Sequence, residues 1–222
     1  MSQLVRTFSC TTRFAAIGLS GLAFTLPVTA SAEGFIDDTK ATLNLRNAYF
    51  NRNFTNSAHP QAKAEEWTQS FILDAKSGFT QGTVGFGLDV LGLYSQKLDG
   101  GKGTAGTQLL PTGSDGRPVD NFGRLGVALK TRLSKTELKV GEWMPVLPIL
   151  RSDDGRSLPQ TFRGGQVTSN EIAGLTLYGG QFRGNSPRND ASMDDMFLNG
   201  RAAFTSDRFN FGGGEYTFND KR

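Results

Sequence analysis

One cysteine, one histidine and two tryptophans are spread over 222 residues, and each scarcity narrows the chemistry open to the chain. Cys10 precedes the first apolar run, so a leader cut after Ala32 leaves the mature chain without any cysteine. Disulfides and thiolate metal sites are then excluded. His59 lies in a polar, proline-flanked stretch, and a Ser-His-Asp triad or a histidine zinc centre would have to rest on it alone. Long apolar runs are equally rare. Phe14 to Leu26 spans 13 residues, short of the roughly 20 that a spanning helix needs, and nothing later is longer. A helical membrane protein is excluded.

That single apolar run has the layout of a secretory signal peptide. Arg6 and Arg13 precede it, Pro27 breaks it, and Ala30-Ser31-Ala32 supplies a small-residue cleavage site. The expected organisation is a signal peptide over 1–32 and one domain over 33–222. Charge of one sign is also lacking. The whole chain carries +3, two of its basic residues lie in the leader, and the leader has no acid. The mature chain is nearly neutral, which gives no electrostatic footprint for nucleic acid.

Motifs for cofactor and metal chemistry fail on inspection. Gly100-Gly101-Lys102-Gly103 lacks the Ser or Thr that follows the lysine of a phosphate loop. Asp115-Gly116 and Asp153-Asp154-Gly155 lack the spaced ligands and terminal Glu of a calcium loop. No catalytic, cofactor or metal site is expected, and no enzyme.

What the chain does have is alternation. Leu43, Leu45 and Tyr49 share one parity, against Thr42, Asn44, Arg46 and, further on, Arg52. From Arg124 to Ser134, Leu125, Val127, Leu129 and Leu133 oppose Arg124, Gly126, Ala128, Lys130 and Arg132. Period two over nine or more residues is a strand signal, and these strands are long for a soluble sandwich. Further strands are predicted over 67–76, 83–94, 136–143, 166–172, 175–182 and 209–218. An apolar face opposite a polar or small one suits a wall with lipid outside and water inside. The expected class is all-β, an antiparallel transmembrane β-barrel, with about eight strands here.

The connections alternate in length, with tight turns after the second, fourth and sixth strands. Long ones cover about 53–65, 98–120, 145–165 and 184–208. Short periplasmic turns and long external loops are the habit of outer-membrane barrels. The third long connection stands out for Pro145, Pro148 and Pro159, which exclude a central strand. Its apolar residues Leu147, Ile149, Leu158 and Phe162 suggest a loop anchored to the wall. The chain stops just after a strand, at Arg222. Lipid tolerates no open edge, and an eight-stranded lumen is filled by side chains. The N-terminal part of a larger barrel is expected, with a complete small barrel as the alternative.

Several stretches resemble the OprD-type, substrate-specific outer-membrane porins of pseudomonads. They include Leu45-Arg46-Asn47-Ala48-Tyr49-Phe50-Asn51-Arg52 and Ser77-Gly78-Phe79-Thr80-Gln81-Gly82-Thr83-Val84-Gly85-Phe86-Gly87. Ser134-Lys135-Thr136, Gly141-Glu142 and Leu158-Pro159-Gln160-Thr161 also match. The resemblance implies an 18-stranded monomeric barrel in the outer membrane of a Gram-negative bacterium. It implies passive diffusion of small carboxylate-bearing solutes, including amino acids, along a ladder of basic side chains. The third external loop would fold into the lumen as a constriction, and Arg52 matches a ladder position.

Arginine suits such a ladder because it stays charged and binds carboxylates through a planar fork. Arg46, Arg52, Arg124, Lys130 and Arg132 share the non-lipid parity and are the candidate pore ladder. Arg151, Asp153, Asp154, Arg156 and Arg163 are the candidate constriction residues. Lumen faces are polar in any case, and a charge run also suits a solvated loop tip. Two rivals to a porin remain: a small structural or adhesive barrel with partner-binding loops, and a soluble secreted β-sandwich.

Overall fold

A computed structural model describes residues 34–56, 58–198 and 201–218. The proposed leader lies outside them. Among the described residues every regular element is a strand. Eight strands form one antiparallel sheet: β1 (Lys40–Asn53), β2 (Lys63–Lys76), β3 (Val84–Asp99), β4 (Asn121–Leu133), β5 (Thr136–Trp143), β8 (Thr161–Ser169), β9 (Leu175–Ser186) and β12 (Phe209–Tyr216). Two small hairpins interrupt the series, β6 (Val146–Leu147) with β7 (Leu150–Arg151), and β10 (Met196–Leu198) with β11 (Arg201–Ser206). Each strand of the large sheet pairs with its neighbours along the chain, so the wall is a plain meander.

Parity decides the faces. Leu43, Leu45, Tyr49, Phe71, Leu73, Phe86, Leu125, Leu129, Val140 and Leu177 are all exposed. Pleating puts them on one side, as the register of β1–β2, Leu43 opposite Leu73 and Leu45 opposite Phe71, illustrates. So wide an apolar surface is an interaction surface, and a strand wall whose backbone groups pair internally satisfies lipid. The opposite face carries buried Glu66, Thr68, Ser70, Asp89, Ser95, Ala128 and Lys130. Loops rest on that face. The fold agrees with the expected barrel wall.

The long connections are L1 (54–62), L2 (100–120), L3 (144–160) and L4 (187–208). L2 and L3 fold back over the polar face. Leu110 and Leu158 enter one apolar cluster with Ile72, Leu91, Leu93 and Phe122. Leu147 enters a second with Ala128, Trp143, Phe162, Phe182 and Met196. Leu158 is wholly buried, a contribution of about 2 kcal/mol.

Several boundaries differ from the sequence reading. β2 begins at Lys63 and β3 runs on to Asp99, because their loop-side ends carry polar residues on both parities. β8 begins at Thr161, which shortens the third loop. Trp143 already pairs with Phe162, and Glu142 with Arg163. Within β5, position 141 requires glycine: at φ +142° any Cβ would strike the Val127 carbonyl of β4. There β5 leaves β4: their ladder ends at Ala128–Gly141.

Candidate functional site

The site is the space above the polar face where L3 crosses it. Two arginines, from β1 and from L4, hold the loop tip. Arg46 donates from Nη1 and Nη2 to the Asp154 carboxylate at 2.8 and 3.1 Å, and from Nη1 to the Arg156 carbonyl at 2.6 Å. Arg188 pairs with Asp153 and also donates to Gln108 of L2. The Asp153-Asp154 run is therefore a two-sided clamp. Burial works against ionisation of Asp153, but the Gly155 amide and the Arg188 guanidinium outweigh it and hold the carboxyl below its usual range.

A second set of bonds seats the loop from beneath. Ser157 and Thr68 share a hydroxyl hydrogen bond of 2.7 Å. Arg124 donates to the carbonyls of Pro159, Pro187 and Asp190, tying L3 to L4. Gln160 reaches Asn185 at 2.9 Å.

The candidate ladder residues divide into three groups. Arg52 and Arg156 approach the same Phe50 ring, with guanidinium carbons 5.5 and 4.9 Å from its centroid. Arg52 is exposed and has no carboxylate partner among the described residues. Arg46, close by, is spent on Asp154. A groove of about 320 Å³ runs along residues 46–50 of the edge strand β1 and is closed by Leu109, Asp154, Gly155 and Arg156, with Arg52 just outside it across the Phe50 ring. These three arginines are brought together.

Lys130 and Arg124 are not. Lys130 is buried and faces Asp89 at 2.7 Å, while Lys139 takes the other Asp89 oxygen at 2.5 Å. Shared parity put Lys130 on the correct face, but a neutralising partner on the neighbouring strand occupies it. Arg124 lies under L3 and L4 as a clamp. Arg132 stands at the short-turn end, 4.2 Å from the Phe79 ring centroid.

Among the candidate loop residues, Arg151 is exposed in β7 and Arg163 lies in β8, outside the shortened loop. Arg163 is exposed, on the parity opposite that of buried Phe162. Ile149, expected as an anchor, is 53% exposed, as Val146 is at 73%. The short β6–β7 hairpin turns them away from the wall that Leu147 meets.

Two polar groups escaped the sequence reading. Glu66 is fully buried beneath L2, where four donors meet its carboxylate. Asp89 bridges two lysines. Glu66 had one usable signal, an acid on the parity of Ala64, Thr68 and Ser70, which Glu65 beside it obscures.

Comparison with known proteins places these features in context. The family model described as outer membrane porin, OprD family, matches residues 33–222. Porin-like protein GalP of Pseudomonas putida is 70% identical over 213 residues, covering 96% of this chain and 52% of that protein. A BenF-like porin from Pseudomonas fluorescens Pf-5 superposes with a TM-score of 0.81 at 81% identity, over 85% of this chain and 49% of that one. Pseudomonas aeruginosa OccK2 (OpdF), solved in complex with glucuronate, gives 0.71 at 67% identity over 85% and 45%. The chain spans about half the length of each.

Proposed function

Because the chain belongs to the OprD family of outer-membrane porins, we propose that it supplies the first strands and the constricting loop of a monomeric pore for passive, selective diffusion of small carboxylate-bearing solutes, amino acids among them. The relatives are porins, channels rather than enzymes. One observation carries the carboxylate preference: exposed Arg52, which has no carboxylate partner among the described residues, lies beside Arg156 across the Phe50 ring. A carboxylate entering a narrow lumen gives up water, and fixed guanidinium donors replace it. Several weak sites in a row let the solute leave again. The glucuronate complex of OccK2 supports the same solute class.

In this reading Asp153 and Asp154 face the basic side of the constriction, so a zwitterion meets both signs in one passage. Arg52 and Arg156 form the basic steps near the loop, Arg46 holds the loop tip through Asp154, and Arg132 lies at the far end. Lys130 and Arg124 hold the wall and the loops.

The test uses the full-length protein reconstituted in liposomes. Arg52→Gln is expected to slow entry of glucuronate while leaving entry of a neutral sugar of similar size nearly unchanged. Equal slowing of both would remove Arg52 from the ladder.

A further inference from the structure

L2 wraps its backbone around the side chain of Glu66. Gly106 and Thr107 donate their amides to Oε1 at 3.0 and 3.5 Å. The Leu110 amide and the Thr107 hydroxyl donate to Oε2 at 3.1 and 2.5 Å. The carboxylate is fully buried on β2, and no basic side chain pairs with it among the described residues. Successive amides converge because the loop takes left-handed turns at Gly106 (φ +103°) and Gln108 (φ +66°). A side chain at positive φ is uncommon and costs energy, which the converging bonds offset. This is an anion-holding nest, filled by the protein's own acid.

The nest continues to the constriction. The Thr107 carbonyl accepts from Arg156 Nε at 3.1 Å, and Arg156 faces Phe50. Arg46 then reaches the Arg156 carbonyl. The route from Glu66 to the arginine at the loop tip passes through one residue, Thr107.

We propose that Glu66 is the positioning residue for Arg156: it fixes L2 so that the Thr107 carbonyl orients the guanidinium toward the lumen, and so sets the pore's preference for anions. The proposal deepens the porin reading and rests on it. The chemistry is specific to an acid. Each oxygen of Glu66 receives two donors, and an amide would turn an N–H toward a backbone N–H in either orientation. Glutamine cannot fill the nest.

The experiment compares Glu66→Gln, Arg156→Gln and the double variant of the full-length protein in planar bilayers under a KCl gradient. The reversal potential reads chloride against potassium, and the heat-induced gel shift reads the barrel. E66Q is expected to lose as much anion preference as R156Q, the double variant no more than either, with the gel shift of E66Q kept at the wild-type temperature. A silent E66Q beside an effective R156Q, or additive losses in the double variant, would overturn the proposal and leave the porin reading standing. A silent R156Q would overturn both the role of Arg156 and this proposal. Should E66Q fail to assemble, Thr107→Val removes the hydroxyl that donates to Glu66 and accepts from the Leu109 amide, and leaves the three backbone donors to the carboxylate in place. It is expected to give a smaller loss in the same direction, and an unchanged reversal potential would count against the nest.

Discussion

Asp154 receives both terminal nitrogens of Arg46 across 108 residues of chain, at 2.8 and 3.1 Å. The bond joins the tip of L3 to the first strand of the wall, which makes the loop a strap fixed at its middle. Its partners are part-exposed, the side chains at 23% and 56%, so the pair contributes about 1 kcal/mol at most.

Loss of that bond therefore affects the loop more than the barrel. Arg46→Gln and Asp154→Asn, made in the full-length protein, are each expected to raise open-channel current noise. Thermal unfolding should stay within a few degrees of wild type. Raising salt from 0.1 to 1 M, which shortens electrostatic reach from about 10 to 3 Å, should bring wild type part of the way to the variants. Quiet current in both variants would show that the strap is held by its apolar anchors alone.

Those anchors have a larger expected effect. Leu158→Ala empties a fully buried site among Ile72, Leu91, Leu93, Leu110 and Phe122, and such truncations cost about 2–5 kcal/mol. Limited proteolysis with mass mapping should find new cuts within 144–160 while the strands stay protected. Val146→Ala, at a 73% exposed position, should leave the digestion pattern unchanged.

Acid should release the L4 side of the clamp. The Asp153 carboxyl is held below its ordinary value. Its contribution is thus fully present above the unfolded aspartate value of about 3.9 and is lost as pH falls through the lower folded value. Channel noise should be flat from pH 7 to about 5 and rise below about 4. Asp153→Asn should be noisy at every pH, with no step. A step that begins near pH 6 would point to a different group.

Asp89 stands between two lysines, 2.7 Å from Lys130 and 2.5 Å from Lys139, in a largely buried place. Asp89→Asn leaves two cations facing each other with no counter-charge, a change that costs about 3–5 kcal/mol in buried pairs. The urea midpoint of the refolded full-length barrel should fall accordingly. Gly87→Ala tests the same cluster sterically, since its Cβ would press on the Lys130 side chain. Overpacking of that kind costs about 1–3 kcal/mol.

Much of the wall was legible because lipid enforces period two. Leu125, Val127, Leu129 and Leu133 on β4 face it, and so do Leu43 and Leu45 on β1. The prolines of L3 were legible as well. Parity says which face a residue takes but not what covers that face. Lys130 and Arg124 thus read like Arg52, although one meets Asp89 and the other lies under two loops. The beginning of β8 was hidden because Thr161 to Gly165 alternates no apolar side. Glu66 was hidden because three of its four donors are backbone amides of a distant loop, which leave no mark in residue type.

The ties among the three loops limit how such a pore can be re-engineered. Arg188 of L4 binds Asp153 of L3 and Gln108 of L2, and Arg124 joins L3 to L4 from below. A chimera that grafts L3 alone from a relative must match the Arg188 donor of L4 and the Thr107 carbonyl acceptor of L2, neither of which it brings. Transplanted selectivity should therefore travel with L2, L3 and L4 as a set, because contacting residues do not contribute additively.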